Sequence, residues 1–456
     1  MSERATFRLS ALALAALLGG CSLTPVLEKP AAPVAATYPG QAVAATTTGQ
    51  LPAWESFVTD ARLRDVVKLA LQNNRDLRVA TLNIEQVRAQ YQVKRADQFP
   101  SVNAVVSGSR QPTTSGGMSS VYTAGLAMAS WEIDFFGRLG SLKDAALAQF
   151  LASEEARRTA QTSLVASVAS TWLSLQTDEA LLALTQRTLA TREDSLRLSK
   201  LRFDNGATSA LDLRQAESLT AAARSTLAQQ QRARALDINA LTLLVGQEVP
   251  ANLLPGAADV APFQAVPEGL PSELLTRRAD IRQAEQAMVA ANANIGAARA
   301  AFFPRISLTT SVGTVSNQLS GLFKDGSWGF SLAPQALLPI FDMGRNQANL
   351  DVAKVGRDTA IAQYEKAIQV AFREVADALA GRATLGEQLA AQELQAKAEA
   401  ERFRLAELRY KNGVSSYLDV LDAQRSLFAT QQALAQSRLA QQQNQVALYK
   451  ALGGGY

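Results

Sequence analysis

Apolar positions follow two different rules along this chain, and the change of rule marks out its elements. Residues 141–205 contain no Gly or Pro, and Leu175, Leu182, Leu189, Leu196 and Phe203 fall every seven residues. A heptad stripe of this kind predicts a long helix packed along one narrow seam. At about 1.5 Å per residue it would be roughly 98 Å long. Residues 207–245 are also unbroken and predict a helix of roughly 58 Å, and residues 77–98 a third of roughly 33 Å. Placed end to end, the two shorter helices nearly match the long one and could lie antiparallel beside it.

Between the helices the period drops to two. Pro100 and Pro304 close helical stretches. Beyond them Tyr122, Ala124, Leu126 and Met128 alternate with small or polar residues, as do Ile306, Leu308 and Val312, and then Trp328, Phe330 and Leu332. Alternation at this length predicts strands able to span a membrane when tilted. Gly-, Ser- and Pro-containing turns at 111–120 and 317–327 make them two hairpins. Phe99, Trp131, Phe135, Phe136, Phe302, Phe303 and Phe341 gather at the strand–helix junctions, where an aromatic belt would meet the water boundary. Four strands cannot close, and in a bilayer every edge must be paired. Chains must therefore share a barrel: two would give eight strands and a filled interior, three would give twelve and a lumen.

The whole arrangement occurs twice. Asp76-Leu77-Arg78 returns as Asp280-Ile281-Arg282, and Arg95 to Pro100 as Arg299 to Pro304, both at an offset of 204. Arg202-Phe203-Asp204-Asn205-Gly206 returns as Arg409-Tyr410-Lys411-Asn412-Gly413 at 207, as do Ser209/Ser416, Asp212/Asp419 and Gly246/Gly453. Breakers and apolar positions recur together, which identifies two copies of one unit. The chain accordingly divides into a leader (1–20), an extended segment (21–60), a first repeat (61–245), a Pro-rich linker (246–272) and a second repeat (273–453). The first repeat holds a helix, a hairpin at about 101–131 and helices at 141–205 and 209–245. The second holds a helix, a hairpin at about 305–341 and helices at 345–412 and 416–452.

Composition narrows the chemistry. The 456 residues carry 45 Lys+Arg and 41 Asp+Glu, a formal charge of +4, too small and dispersed to call for a nucleic acid. With no His and a single Cys, Cys21, most transition-metal sites, His-dependent triads and disulfides are excluded. No phosphate loop and no Gly-x-Ser-x-Gly occurs. We expect no enzyme, no cofactor and no metal site. At the start, Arg4 and Arg8 precede an apolar run at 9–18 that is too short to span a bilayer. The following Leu18-Gly19-Gly20-Cys21 resembles a bacterial lipoprotein cleavage box, which implies acylation of Cys21. Ser22, in place of an Asp, implies the outer membrane.

The duplicated turns hold the candidate site. Gly206 and Gly413 suit left-handed turns between antiparallel helices, and Ser209 with Asp212, like Ser416 with Asp419, reads as a capping box. Asp212 is therefore either a helix cap or part of a gate. Asp419 and Asp422, three apart, share a helix face; under threefold symmetry they would form two stacked carboxylate rings that raise some pKa values and attract cations.

The acylated start, the duplication, the strand pairs and the turn motifs at 203–212 and 410–424 together resemble the TolC-like outer-membrane efflux proteins, in particular the OprM-like lipoprotein branch. The resemblance covers residues 21–456. It implies a mixed α/β membrane protein: a homotrimer whose twelve-stranded outer-membrane β-barrel, four strands per chain, continues into a long periplasmic α-helical barrel. It implies a passive exit duct of a tripartite multidrug pump, lipid-anchored at Cys21, working with a periplasmic adaptor and an inner-membrane resistance-nodulation-division transporter. It places a closed periplasmic entrance at Tyr410, Leu418, Asp419, Asp422 and Arg425, with Asp212 nearby. Arg425 is able to neutralise Asp422 within one chain or across an interface. Adaptor-docking tips are implied at Asn205, Gly206, Ala207, Ser209, Asn412, Gly413, Val414 and Ser416. Where the wider family can carry a basic latch this chain has Ser415. A duct for metal ions or secreted proteins would share the fold, and a soluble coiled-coil scaffold is the competing non-membrane reading.

Overall fold

The computed structural model describes residues 22–39, 51–114, 116–257, 263–264, 275 and 277–454. Cys21, the leader and nearly half of the Pro-rich linker (258–262 and 265–272) lie outside the described residues. The helices are α1 (Trp54–Phe57), α2 (Ala61–Asn73), α3 (Arg75–Ala96), α4 (Arg138–Asp204), α5 (Ala210–Val245), α6 (Ala279–Ala300), α7 (Arg345–Lys411) and α8 (Tyr417–Ala451). The strands are β1 (Val102–Pro112), β2 (Met118–Ile133), β3 (Arg305–Ser316) and β4 (Trp328–Leu337). No helix among the described residues is long and apolar enough to cross a membrane.

The chain forms two compact units. One comprises the N-terminal residues to Ala32, with Leu82–Glu155 and Arg282–Lys366. Its sheet is an antiparallel meander in the order β1-β2-β3-β4, with the Gly125↔Gly313 pair near the centre of the β2–β3 ladder and a register shift between Met128 and Trp131. Both edge strands, β1 and β4, are exposed along their whole length. The strand-to-helix junction is aromatic: Phe136 stacks on Phe303 at 4.8 Å, and the indole of Trp131 donates to the Gln98 carbonyl at 3.1 Å. Beyond the sheet the helical core of this unit is built largely from Ala145, Ala148, Ala290, Ala293 and Ala360, with Met288 and Tyr364. Such small side chains let helices approach closely.

The second unit comprises Pro33–Thr81, Ala156–Ile281 and Ala367–Tyr456. Its core is larger-grained: Trp172, Leu173, Leu175, Leu63, Val66 and Leu241 are fully buried. Phe57 lies between Phe263 and Tyr449 in a stack with centroid spacings of 5.0 and 4.0 Å. Helix ends meet here twice, by equivalent residues of the two repeats. In the first, Asn74 caps α3 through the Leu77 amide and donates at 2.8 Å to the Leu244 carbonyl at the end of α5. In the second, offset by 204, Arg278 donates to the Ala451 carbonyl at the end of α8 at 2.5 Å while paired with Asp280 and Glu374. An amide does the work in one join and a guanidinium in the other.

The heptad leucines are not the seam that a single chain buries. Only Leu175 is fully buried; Leu182, Leu189 and Leu196 are half-buried and Phe203 is exposed. The buried line along the far half of α4 is Thr185, Arg192 and Ser199, also spaced by seven. At Arg192 it meets α5 through hydrogen bonds: Arg192 donates to the Leu219 carbonyl at 2.9 Å, and Thr220 donates back to the Arg192 carbonyl. Burial pulls the Arg192 pKa down, and its guanidinium lies over the Phe428 ring at 5.1 Å.

Candidate functional site at the helical hairpin tips

Each pair of long helices ends in the same turn. Gly206 (φ 71°) and Gly413 (φ 72°) adopt the left-handed backbone that a side chain disfavours. The following amide then reaches back across the turn, Ala207 to the Arg202 carbonyl at 2.8 Å and Val414 to the Arg409 carbonyl at 2.9 Å. Asn205 and Asn412 close the last helical turn by donating to Leu201 and Leu408.

The two restarts differ. Ser209 and Asp212 make a complete capping box: the Asp212 amide donates to Ser209 Oγ at 3.1 Å, and the Asp212 carboxylate accepts from the Ser209 amide. Thr208 and Ser209 hydroxyls both donate to that carboxylate at 2.8 Å, and with Thr208 as the largest contributor they lower its pKa. The expected second box does not form. Ser416 precedes α8 without a side-chain cap, Ser415 Oγ is buried without a partner, and Asp419 has no hydrogen bond or ion pair among the described residues. The sequence pattern Ser-x-x-Asp is present twice, but the hydroxyl that precedes it, Thr208 in the first copy and Ser415 in the second, reaches the carboxylate only in the first.

The charged cluster stands one and two turns into α8. Asp422 accepts from Arg425 at 2.6 Å and from Arg402 on α7 at 2.5 Å. Arg402, then Arg425, hold its carboxyl below the usual range. Within one chain the two guanidiniums outweigh the cost of burial at Asp422, while the expected stacked rings are a property of three copies. Arg425 is the partner the spacing anticipates. Arg402 is not adjacent in sequence, yet it lies ten residues before Asn412 and Asp422 ten after, the mirror positions of an antiparallel hairpin. That counting rule would have found it. Leu418, Leu421, Asp422 and Arg425 line a cleft of about 180 Å³ with Gln215, Ser218 and Leu219 of α5.

Tyr410 ties the two tips together. Its hydroxyl accepts from Arg202, whose guanidinium also sits over its ring at 5.2 Å, and Tyr417 packs against it at 5.0 Å. Leu418 and Val414 remain substantially exposed. Among the described residues no group of His, Cys, Asp and Glu could hold a metal ion. The site is a set of ionic and ring contacts that can be made or broken without covalent chemistry.

The model of the outer membrane efflux protein family matches residues 66–247 and 270–454. The antibiotic efflux pump outer membrane protein ArpC and the toluene efflux pump outer membrane protein TtgC, both of Pseudomonas putida, are each 47% identical over 98% of this chain and 95% of their own length. The open state of the Neisseria gonorrhoeae MtrE outer membrane channel superposes with a TM-score of 0.86 at 41% identity, covering 95% of this chain and 98% of that one.

Proposed function

Because this chain belongs to the outer membrane efflux protein family, we propose that it is the outer-membrane exit duct of a tripartite pump, passing small toxic compounds from the periplasm to the exterior. The observation that carries the assembly is the sheet with two fully exposed edges, which hydrocarbon does not tolerate unpaired. Three copies joined β4 to β1 close twelve strands around a lumen. The half-buried Leu182, Leu189 and Leu196 then pack against a neighbouring copy. Cys21 is the lipid-bearing residue. A periplasmic adaptor docks on the turns at Asn205, Gly206, Ala207, Ser209, Asn412, Gly413, Val414 and Ser416, and an inner-membrane resistance-nodulation-division transporter supplies the energy. The names of the 47% identical relatives support antibiotics and aromatic solvents as cargo over metal ions or secreted proteins. Deleting the gene should sensitise the cell to antibiotics, dyes and toluene; sensitivity confined to metal ions, or a block in protein export alone, would reassign the cargo.

Leu418, Asp419, Asp422 and Arg425 form the entrance constriction in this reading, with Tyr410 as the clasp between tips and Asp212 as a cap for α5. Opening separates the tips, and adaptor contacts favour the open state. Replacing Asp419 and Asp422 by Ala releases Arg402 and Arg425 from their shared carboxylate. Single trimers in planar bilayers should then conduct more than the parent. Equal conductance would remove both carboxylates from the gate.

A further inference from the structure

Residues 22–30, without helix or strand, follow one face of α6 in the opposite direction. Arg299 donates to the Leu23 carbonyl at 3.2 Å, Asn292 to the Pro25 carbonyl at 2.8 Å, and Glu285 accepts from Lys29 at 2.9 Å. These three α6 residues are spaced by seven, so they repeat on the same face every two turns. Fourteen residues of helix rise about 21 Å, and six residues of extended chain, Leu23 to Lys29, cover about 20 Å. The two lengths agree, so each of these three side chains has its counterpart on the segment.

Gly296 lies between the rungs. A Cβ there would collide with Thr24 Oγ1 and Ser141 Oγ, and Thr24 Oγ1 is itself 3.2 Å from Ser141 Oγ on α4. Lys29 also sits over the Tyr364 ring of α7 at 5.7 Å. The segment therefore touches three helices of this unit. Asn292 is 5% exposed and its Oδ1 already lacks a partner, so loss of the segment would expose or orphan the other half of the amide as well. The equivalents of Glu285, Asn292, Gly296 and Arg299 in the first repeat, at the offset of 204, are Thr81, Arg88, Gln92 and Arg95. That set lacks the acid, the small amide and the glycine. One repeat carries the ladder and the other does not.

We propose that the Glu285–Asn292–Gly296–Arg299 face of α6 is a built track for the chain's own N-terminal peptide, recognising its extended backbone and Lys29. The segment is a staple of α4, α6 and α7, and the chain that follows the lipid-modified residue is held to the protein wall instead of forming a slack tether. The second half of this statement rests on the outer-membrane lipoprotein reading; the track does not.

The test is a disulfide between Thr24→Cys and Ser141→Cys in the full-length membrane-inserted protein. The parent pair should cross-link readily. Adding Gly296→Leu should lower the cross-linked fraction about tenfold, because the added side chain takes the space that Thr24 and Ser141 fill. Gln92→Leu, at the equivalent site of the first repeat, should leave it unchanged. If Gly296→Leu prevents folding, Asn292→Ala with Arg299→Met reads the same contact without adding bulk. A parent pair that does not cross-link, or a yield indifferent to both track variants, overturns the proposal, as does an equal loss with Gln92→Leu. Channel conductance measured on the same samples reports separately on the duct.

Discussion

Asp178 shows what a single half-buried charge costs in a helical wall. It lies on α4 beside Glu179, which is paired with Arg234, and near Asp237 on α5. Burial first, and then the charges of Asp237 and Glu179, push its pKa up to about 6; burial raises Asp237 as well. For an acid whose pKa is higher folded than unfolded, the native state binds the extra proton. Its contribution to stability is present below the unfolded value near pH 4 and is lost as pH rises through about 6. Asp178→Asn should therefore raise the melting temperature at about pH 7.5 and leave it nearly unchanged at about pH 4. Thermal scans at both values check this, and an equal shift at both would assign the effect to packing. Arg192 poses the complementary problem, an arginine 4% exposed with no carboxylate against it among the described residues. No hydrophobicity pattern announces such a residue, because its burial follows from the carbonyl and the ring that happen to face it.

At the scale of elements, one motif written twice has two outcomes. Ser209 is a working cap and Ser416 is not. Ser209→Ala should cost about 1 kcal/mol of local stability, seen as faster amide exchange over the first turn of α5. Ser416→Ala should change exchange at α8 little. Comparable losses at both sites would mean that the cap at Ser416 forms in solution. The helices and strands themselves were legible, since the distribution of Gly and Pro and the change of period from seven to two lie in the chain. The end-to-end joins were legible only as matching lengths. That Asn74 seals one and Arg278 the other depends on which carbonyls the neighbouring helix leaves uncapped.

For the whole molecule the deciding feature is surface that one chain leaves uncovered: two strand edges and a row of leucines. If neighbouring copies cover that row, Leu189→Glu with Leu196→Glu should shift detergent-extracted protein from trimer toward monomer in light scattering. The two helices should persist, because within the chain α4 is held to α5 by Arg192 and Thr220. A trimer of undiminished mass would place the copy-to-copy contact elsewhere. The same logic explains why the heptad leucines misidentify the intrachain seam. Hydrophobic periodicity reports that a face will be covered, not by which chain.

Duplication, the alternation of rods and hairpins, the left-handed turns at Gly206 and Gly413 and the Asp422–Arg425 neighbourhood follow from the order of residues alone, because each is a relation between positions a few bonds or a constant offset apart. Arg402 on Asp422, Arg202 on Tyr410, the polar seam through Arg192 and the N-terminal peptide lodged at Gly296 were settled only by tertiary structure. Those contacts join segments between 20 and more than 250 residues apart. Their partners are chosen by how helices are rotated and staggered against one another, a geometry that only simultaneous packing of all the helices determines.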